Sequence, residues 1–281
     1  MSMEKTLVSI IIPVKNSSTY LADCLSSIKA QSYKDIEVLV VDSHSADATL
    51  NIAKQFGVKI LQFEKKQKMG IFDAPFKRNY GVEHSKGSYV YYVDADMQLP
   101  QKLVEEIITL FGTGQFGALV VAEDSVGSGI WAKAKQLERR CYWGDDTIEA
   151  ARVFTRKTWN AMGGLDTSLG GGGDDWDLHQ RILSSGLKIG RTKNYVLHNE
   201  GNLKLSSLMK KRFMYGRDSI KYLVKKPKAS FVSYFPIRLA FIRNWRLFAK
   251  SPIVSATFII MRFCEYAAGF AGIIYSRFDY D

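Results

Sequence analysis

The chain reads as an α/β protein, a mostly parallel sheet flanked by helices with a helical C-terminal appendage, and three observations predict this. Short apolar runs alternate with helically spaced apolar residues through the first hundred positions. Carboxylates and a proline stand where those runs end, and after Gly201 the composition turns basic and aromatic. Repeated strand–helix–strand units imply parallel strands with helices on both faces, and ligands then bind beyond the carboxyl ends of the strands. We divide the chain into a catalytic-type domain over 1–201 and a basic amphipathic helical region over 202–281.

In order, Val8 to Pro13 is a nearly continuous apolar strand, followed by Leu21, Leu25 and Ile28 at helical spacing. Ile36 to Val41 is a second buried strand, and Leu50, Ala53 and Phe56 mark a second helix. Val58 to Phe63 forms a third strand. A basic, turn-rich stretch then leads to a helix holding Phe76, Tyr80 and Val82, and to a fourth strand beginning at Tyr89. Pro13, Asp42 and the pair Asp94/Asp96 all fall at carboxyl ends of these strands.

With 281 residues, 46% hydrophobic and 24% charged, the chain can bury a substantial core and is not of disordered composition. Its net charge of +11 accumulates after Arg191 and favours an anionic partner: nucleic acid, a phosphorylated substrate or an acidic membrane surface. Cys24, Cys141 and Cys264 are odd in number and widely spaced, which fits a reducing compartment and no zinc or disulfide framework. The N-terminal apolar run, Leu7 to Ile12, is too brief for a signal peptide, so a cytoplasmic location is expected.

Asp94 and Asp96 close the Tyr89 strand with one residue between them. Buried carboxylates need cations or water, and a divalent ion such as Mg²⁺ or Mn²⁺, which prefers oxygen ligands, would meet both. Taken alone, the pair equally fits a solvated turn. Neither a Gly-rich Lys-Ser/Thr phosphate loop nor Gly-x-Gly-x-x-Gly follows the first strand, so kinase and dehydrogenase chemistry are unsupported.

Four ordered segments, Ile11-Ile12-Pro13-Val14-Lys15-Asn16, Val40-Val41-Asp42-Ser43-His44-Ser45-Ala46-Asp47-Ala48-Thr49, Lys77-Arg78-Asn79-Tyr80-Gly81 and Val93-Asp94-Ala95-Asp96, resemble the nucleotide-binding segments of family 2 glycosyltransferases. The resemblance implies a GT-A fold, a nucleoside-diphosphate sugar donor and roles by position. Pro13 belongs to the first donor-binding segment, and Asp42 would serve the nucleobase. Arg78 would lie near base or ribose, Asp94 at ribose or metal, and Asp96 at the metal. Ser43 departs from the family, which often has a second acid there.

Gly170-Gly171-Gly172-Gly173 cannot sit inside a helix without losing about 1 kcal/mol each relative to Ala, so a mobile loop is expected there. Asp174, Asp175 and Asp177 then open a helix whose dipole favours acids, with Leu178, Ile182 and Leu183 toward the core. The run from Asp174 to Arg181 resembles the family's Glu-Asp-x-Asp-Leu-x-x-Arg signature with Asp174 replacing Glu. By that match Asp175 is the general base, with Asp174 beside it, and one base opposite a metal-bound leaving group implies inversion.

His198 closes a short apolar strand and matches a position where related enzymes supply a third metal ligand, although a lone His is more often structural. His44, His84 and His179 read as surface or helix-packing residues, and Asp124 to Ala151 supports no assignment. In the C-terminal region, a helix from Pro236 would carry Ile237, Phe241, Trp245 and Phe248 on one face and Arg243, Arg246 and Lys250 on another. Ile253 to Tyr275 is long enough to span a bilayer, but Arg262 and Glu265 sit mid-run at about 2.5–3.5 kcal/mol each, so a membrane-surface or re-entrant helix is expected.

The expected partners are therefore a nucleoside-diphosphate sugar, a glycan or polyprenyl-phosphate-linked acceptor and an anionic membrane surface on its inner face. Nucleic acid is not expected, and a homo-oligomer is compatible. No Gln-x-x-Arg-Trp motif is present, which implies transfer of one sugar rather than polymerisation. Two other readings carry less: a sugar nucleotidyltransferase, which should show a Gly-rich basic signature after the first strand, and a non-catalytic module binding anionic lipid.

Overall fold

The computed structural model describes residues 6–64, 73–169, 173–225 and 238–278. Three of the four residues of the expected glycine loop, 170–172, and Pro236 and Ile237 lie outside them. The first half alternates as expected. Strand β1 (Val8–Val14), helix α1 (Leu21–Lys29), β2 (Ile36–Asp42), α2 (Thr49–Gln55), β3 (Lys59–Gln62), α3 (Ala74–Glu83) and β4 (Tyr89–Tyr92) follow one another. They are succeeded by β5 (Met97–Gln98), α4 (Leu103–Gly112), β6 (Ala118–Val120), β7 (Glu123–Ser128), α5 (Gly129–Tyr142), β8 (Val153–Thr155) and α6 (Arg156–Met162). Helix α7 (Asp174–Ser184), β9 (Ile189–Arg191), β10 (Val196–Asn202) and α8 (Leu205–Lys225) lead to α9 (Leu239–Arg243), α10 (Trp245–Ala249) and α11 (Pro252–Phe278).

A seven-stranded sheet has the order β3, β2, β1, β4, β8, β6, β9. Strands β1 to β4 pair in parallel, and β8 enters antiparallel to both β4 and β6. Both faces are covered, which is why the first strands are almost wholly apolar. Ile10, Ile12 and Tyr91 face one core with Leu21, Leu25 and Ile107, while Ile11, Leu39, Val41 and Tyr92 face the other with Phe154, Leu178 and Ile182. Gly81 lets α3 lie directly on β1, since a Cβ there would come within 2.3 Å of the Ile11 side chain.

A second, three-stranded sheet orders β5, β10 and β7. It stands at the carboxyl end of β4 and carries the chain of β10 past Asp96. A third cluster joins α5 to the C-terminal helices through Ala134, Leu137, Cys141, Leu208, Phe258 and Met261. The long helix expected from Pro236 is instead two short ones broken at Asn244, whose side-chain amide donates to the Cys141 carbonyl at 3.0 Å. The break resets the phase: Phe241 and Phe248 pack inward, whereas Trp245 is 61% exposed.

Candidate active site

Parallel pairing brings Val14 level with Asp42 and Ile11 level with Tyr92, so the first-strand segment, Asp42 and the Asp94/Asp96 turn emerge on one edge of the sheet. Asp42 is buried and accepts from the Ser45 backbone N–H and Oγ at 3.0 and 2.5 Å. Pro13 lies in β1 beside Val41. Ser43, where the family often has an acid, donates its hydroxyl to Asp73 at 2.7 Å, and Asp73 in turn pairs with buried Lys77 at 3.1 Å. A carboxylate from the start of α3 thus stands beside the position that lacks one.

Asp94 is clamped. Arg78 Nη2 lies 2.7 Å from one carboxylate oxygen and Arg152 Nη1 3.2 Å from the other. Burial opposes its charge, but the two guanidiniums hold its pKa well below the usual carboxylate range. Arg78 also stacks on the Tyr92 ring at 4.4 Å and reaches Asp174 at 3.7 Å. Asp94 therefore aims at arginines, while Asp96 has the freer carboxylate.

The meeting of Asp96 with His198 is the work of β10. His198 pairs with Met97 across the small sheet, and Asn199 N–H donates to the Asp96 carbonyl at 2.8 Å. Residues 102 positions apart thereby stand with His198 Nε2 at 3.2 Å from Asp96 Oδ2. The other ring nitrogen, Nδ1, lies 3.1 Å from Glu123 Oε2, and Arg139 Nη2 approaches it at 3.2 Å. Burial works against the imidazolium, yet the contacts with Asp96 and Glu123 carry its pKa up to about 9.

Glu123 was not singled out from the sequence. It is buried, 2.6 Å from both Arg139 and Arg152, and Arg152 continues to Asp94, so the acids and arginines alternate from His198 to Asp174. The available signal was an apolar run, Ala118 to Ala122, ending in Glu123-Asp124, the pattern that drew attention to Asp94 and Asp96. Arg139 and Arg152 had no such signal.

Asp96 Oδ1 is buried with no hydrogen-bond partner, and with His198 Nε2 it forms an oxygen–nitrogen donor set that accommodates Mn²⁺ better than Mg²⁺, which takes oxygen ligands. No three His, Cys, Asp or Glu side chains converge as a ready-made metal cage among the described residues. Two protein ligands fit an ion that shares its remaining positions with phosphate and water.

Helix α7 starts at Asp174, and Arg181 anchors it by pairing with Asp177 at 2.7 Å and donating to the carbonyls of Met162 and Gly164. Asp174 turns inward, while Asp175 faces a cleft of about 390 Å³ together with Glu123, Arg139, Arg152, Trp176 and His198. The far wall of that cleft is α8, through Lys211, Arg212 and Tyr215. Burial, and then the charge of Asp175, push the Asp174 pKa up to about 7. His44 pairs with Glu64 on the surface, His84 packs on Tyr80, and buried His179 accepts from the Ala151 N–H.

Two outcomes are expected here. A folded pKa above the unfolded value means that Asp174 lowers stability as pH rises from about 4 through 7, because the folded state holds a proton the unfolded state has lost. Asp174→Asn should therefore raise the melting midpoint at pH 8, by about 2–4 °C per kcal/mol relieved, and leave it nearly unchanged at pH 5. Scanning calorimetry at the two pH values checks this, and equal shifts at both would contradict it. Glu123→Gln removes the charge that orients His198 and should weaken Mn²⁺ binding about 10–100-fold. In a His198→Ala background the same change should add little. Calorimetric titration decides, and equal losses in both backgrounds would show that Glu123 does not act through His198.

A family model described as "Glycosyl transferase family 2" matches residues 9–167, more than half of the chain. Glycosyltransferase GlyA of Streptococcus pneumoniae is 39% identical over 103 residues, 36% of this chain and 14% of that protein. Glycosyltransferase AglE of Haloferax volcanii is 36% identical over 113 residues, 38% of this chain and 36% of that one. The chain thus aligns with well under half the length of these curated relatives. Among solved structures, the mannosyltransferase PcManGT of Pyrobaculum calidifontis, in complex with GDP-Man and Mn²⁺, superposes with a TM-score of 0.64 at 17% identity, covering 99% of this chain and 89% of that one. S. aureus TarS 1–349 with UDP-GlcNAc gives 0.56 at 14% identity, covering 97% and 92%. The fold is of the GT-A type.

Proposed function

The chain belongs to glycosyltransferase family 2, and from that membership we propose that it moves one sugar from a nucleoside-diphosphate sugar to a hydroxyl of a lipid-linked acceptor at a membrane surface, with inversion at the anomeric carbon. The observation that carries the reading is the contact of Asp96 with His198, whose side chain lines a cleft that Asp175 also lines. In this reading Asp42 and Arg78 hold the nucleoside, and Arg78 and Arg152 fix Asp94 at the ribose. Asp96 and His198 would hold Mn²⁺ or Mg²⁺. When bound, such an ion neutralises the departing diphosphate. Glu123 keeps His198 oriented, and Asp175 accepts the proton of the attacking hydroxyl. The nucleophile comes from the acceptor, so no covalent enzyme intermediate is required.

GDP-Man and Mn²⁺ in one structural neighbour and UDP-GlcNAc in another support a nucleotide-sugar donor and a divalent ion. The basic, apolar C-terminal region favours a polyprenyl-phosphate or diphosphate-linked acceptor over a free glycan. Thermal stabilisation and metal-dependent hydrolysis across a panel of nucleotide sugars, with and without Mn²⁺, test the donor half of the reading. Failure of every nucleotide sugar to stabilise or turn over would overturn it.

A further inference from the structure

Helix α11 has two unlike sides. Inward, Phe258, Met261, Arg262 and Glu265 are buried. Outward, Ile253, Ile260, Phe263, Phe270 and Ile274 form one stripe at helical spacing, and Phe263 is 75% exposed. Leu239, Ile242 and Trp245 of α9 and α10 add to the exposed apolar surface, next to exposed Arg243, Arg246 and Lys250. A face of this kind marks an interaction site.

We propose that this outward face docks onto an anionic lipid bilayer, with α11 lying along the membrane plane rather than across it. The proposal rests on the membrane-surface reading above and names the surface and its orientation. Orientation follows from the inward side. Arg262 donates to Glu138 of α5 at 2.8 Å and to Glu265 at 2.9 Å, and Lys135 of α5 pairs with Glu138 at 2.7 Å. With α11 so joined to α5, a transbilayer pose would draw Lys135, Glu138 and Arg140 into hydrocarbon, and undocking would strand buried charges. Lying flat, the helix keeps its charges in protein and its apolar stripe in lipid.

The occupant follows from charge. No Asp or Glu occurs between residues 219 and 264, so a second copy pairing through this stretch would offer no carboxylate from it to Arg243, Arg246 and Lys250. An anionic bilayer supplies the complementary charge and the apolar phase together. Helix α8, a wall of the cleft that holds Asp175, crosses α11 so closely that a Cβ on Gly216 would lie 2.1 Å from the Gly269 carbonyl. Docking through α11 therefore sets the cleft at a fixed height above the lipid.

Flotation with phosphatidylcholine vesicles, with and without about one-quarter phosphatidylglycerol, tests the face. The full chain should float with the anionic vesicles. Combined Ile253→Ser, Phe263→Ser and Phe270→Ser should reduce bound protein at least about tenfold without moving the melting midpoint, since these side chains are exposed. Combined Arg243→Gln, Arg246→Gln and Lys250→Gln should weaken binding to anionic vesicles alone.

Nitroxides on Ile253→Cys and Phe270→Cys, in a Cys264→Ser background, should report equal depths. A spanning helix would separate them by roughly 26 Å along the normal. If the triple Ser variant floats like the parent, the face is wrong and the membrane reading stands. If the parent does not float, the membrane reading falls. A dimer that the triple Ser variant dissolves would assign the face to self-association.

Discussion

Asp96→Ala is expected to abolish sugar transfer while leaving the protein folded. The carboxylate is partly exposed and its Oδ1 has no hydrogen-bond partner; truncation removes the 3.2 Å contact with His198 but leaves Glu123 on the other ring nitrogen, so the fold should be kept. What it removes is the oxygen donor opposite His198 Nε2. A divalent ion stabilises a leaving diphosphate by several kcal/mol, so its loss corresponds to a rate decrease of about a thousandfold or more. Calorimetric titration with Mn²⁺ should show binding lost in the variant, and excess chelator should silence the parent enzyme to the same degree. Full turnover in chelator, or parent-like turnover by Asp96→Ala, would overturn the metal assignment.

Much of this arrangement is legible in the chain because it is local. Strand ends at Pro13, Asp42 and Asp94 follow from apolar runs that parallel pairing then brings level, and the helix at Asp174 follows from three acids in a first turn. Glu123, Arg139 and Arg152 were not legible as a site because their meaning is relational. Arg152 precedes a strand of three residues that pairs antiparallel with β4, and only that insertion sets its guanidinium between Asp94 and Glu123. Alternation cannot announce a strand so short.

The same physics explains the C-terminal region. Read along the helix alone, Arg262 and Glu265 look costly in the middle of an apolar run. Their partner Glu138 is 124 residues away from Arg262, and burial against α5 turns the apparent flaw into the contact that seats the helix. Trp245, grouped with Phe241 and Phe248 by spacing, faces outward because Asn244 interrupts the helix that the spacing assumed.

Asp175→Asn is expected to slow transfer by about a hundredfold or more, the usual contribution of a general base, with donor affinity largely kept. Of the two acids that open α7, Asp175 lines the cleft, while Asp174 is buried beside Arg78 with its pKa pushed up to about 7. Asp174 is buried toward Arg78 and is not among the side chains that line the cleft, so it is not placed to meet an acceptor hydroxyl. It serves the helix start and the Arg78 contact instead. Asparagine keeps the shape of Asp175 and its helix-start position but cannot take the proton of an attacking hydroxyl. Single-turnover rates and donor titrations on Asp175→Asn and Asp174→Asn separate the roles. The first should lose rate with donor binding kept, and the second should lose less. If Asp174→Asn is the more damaging change, the base is Asp174 and Asp175 is the supporting acid.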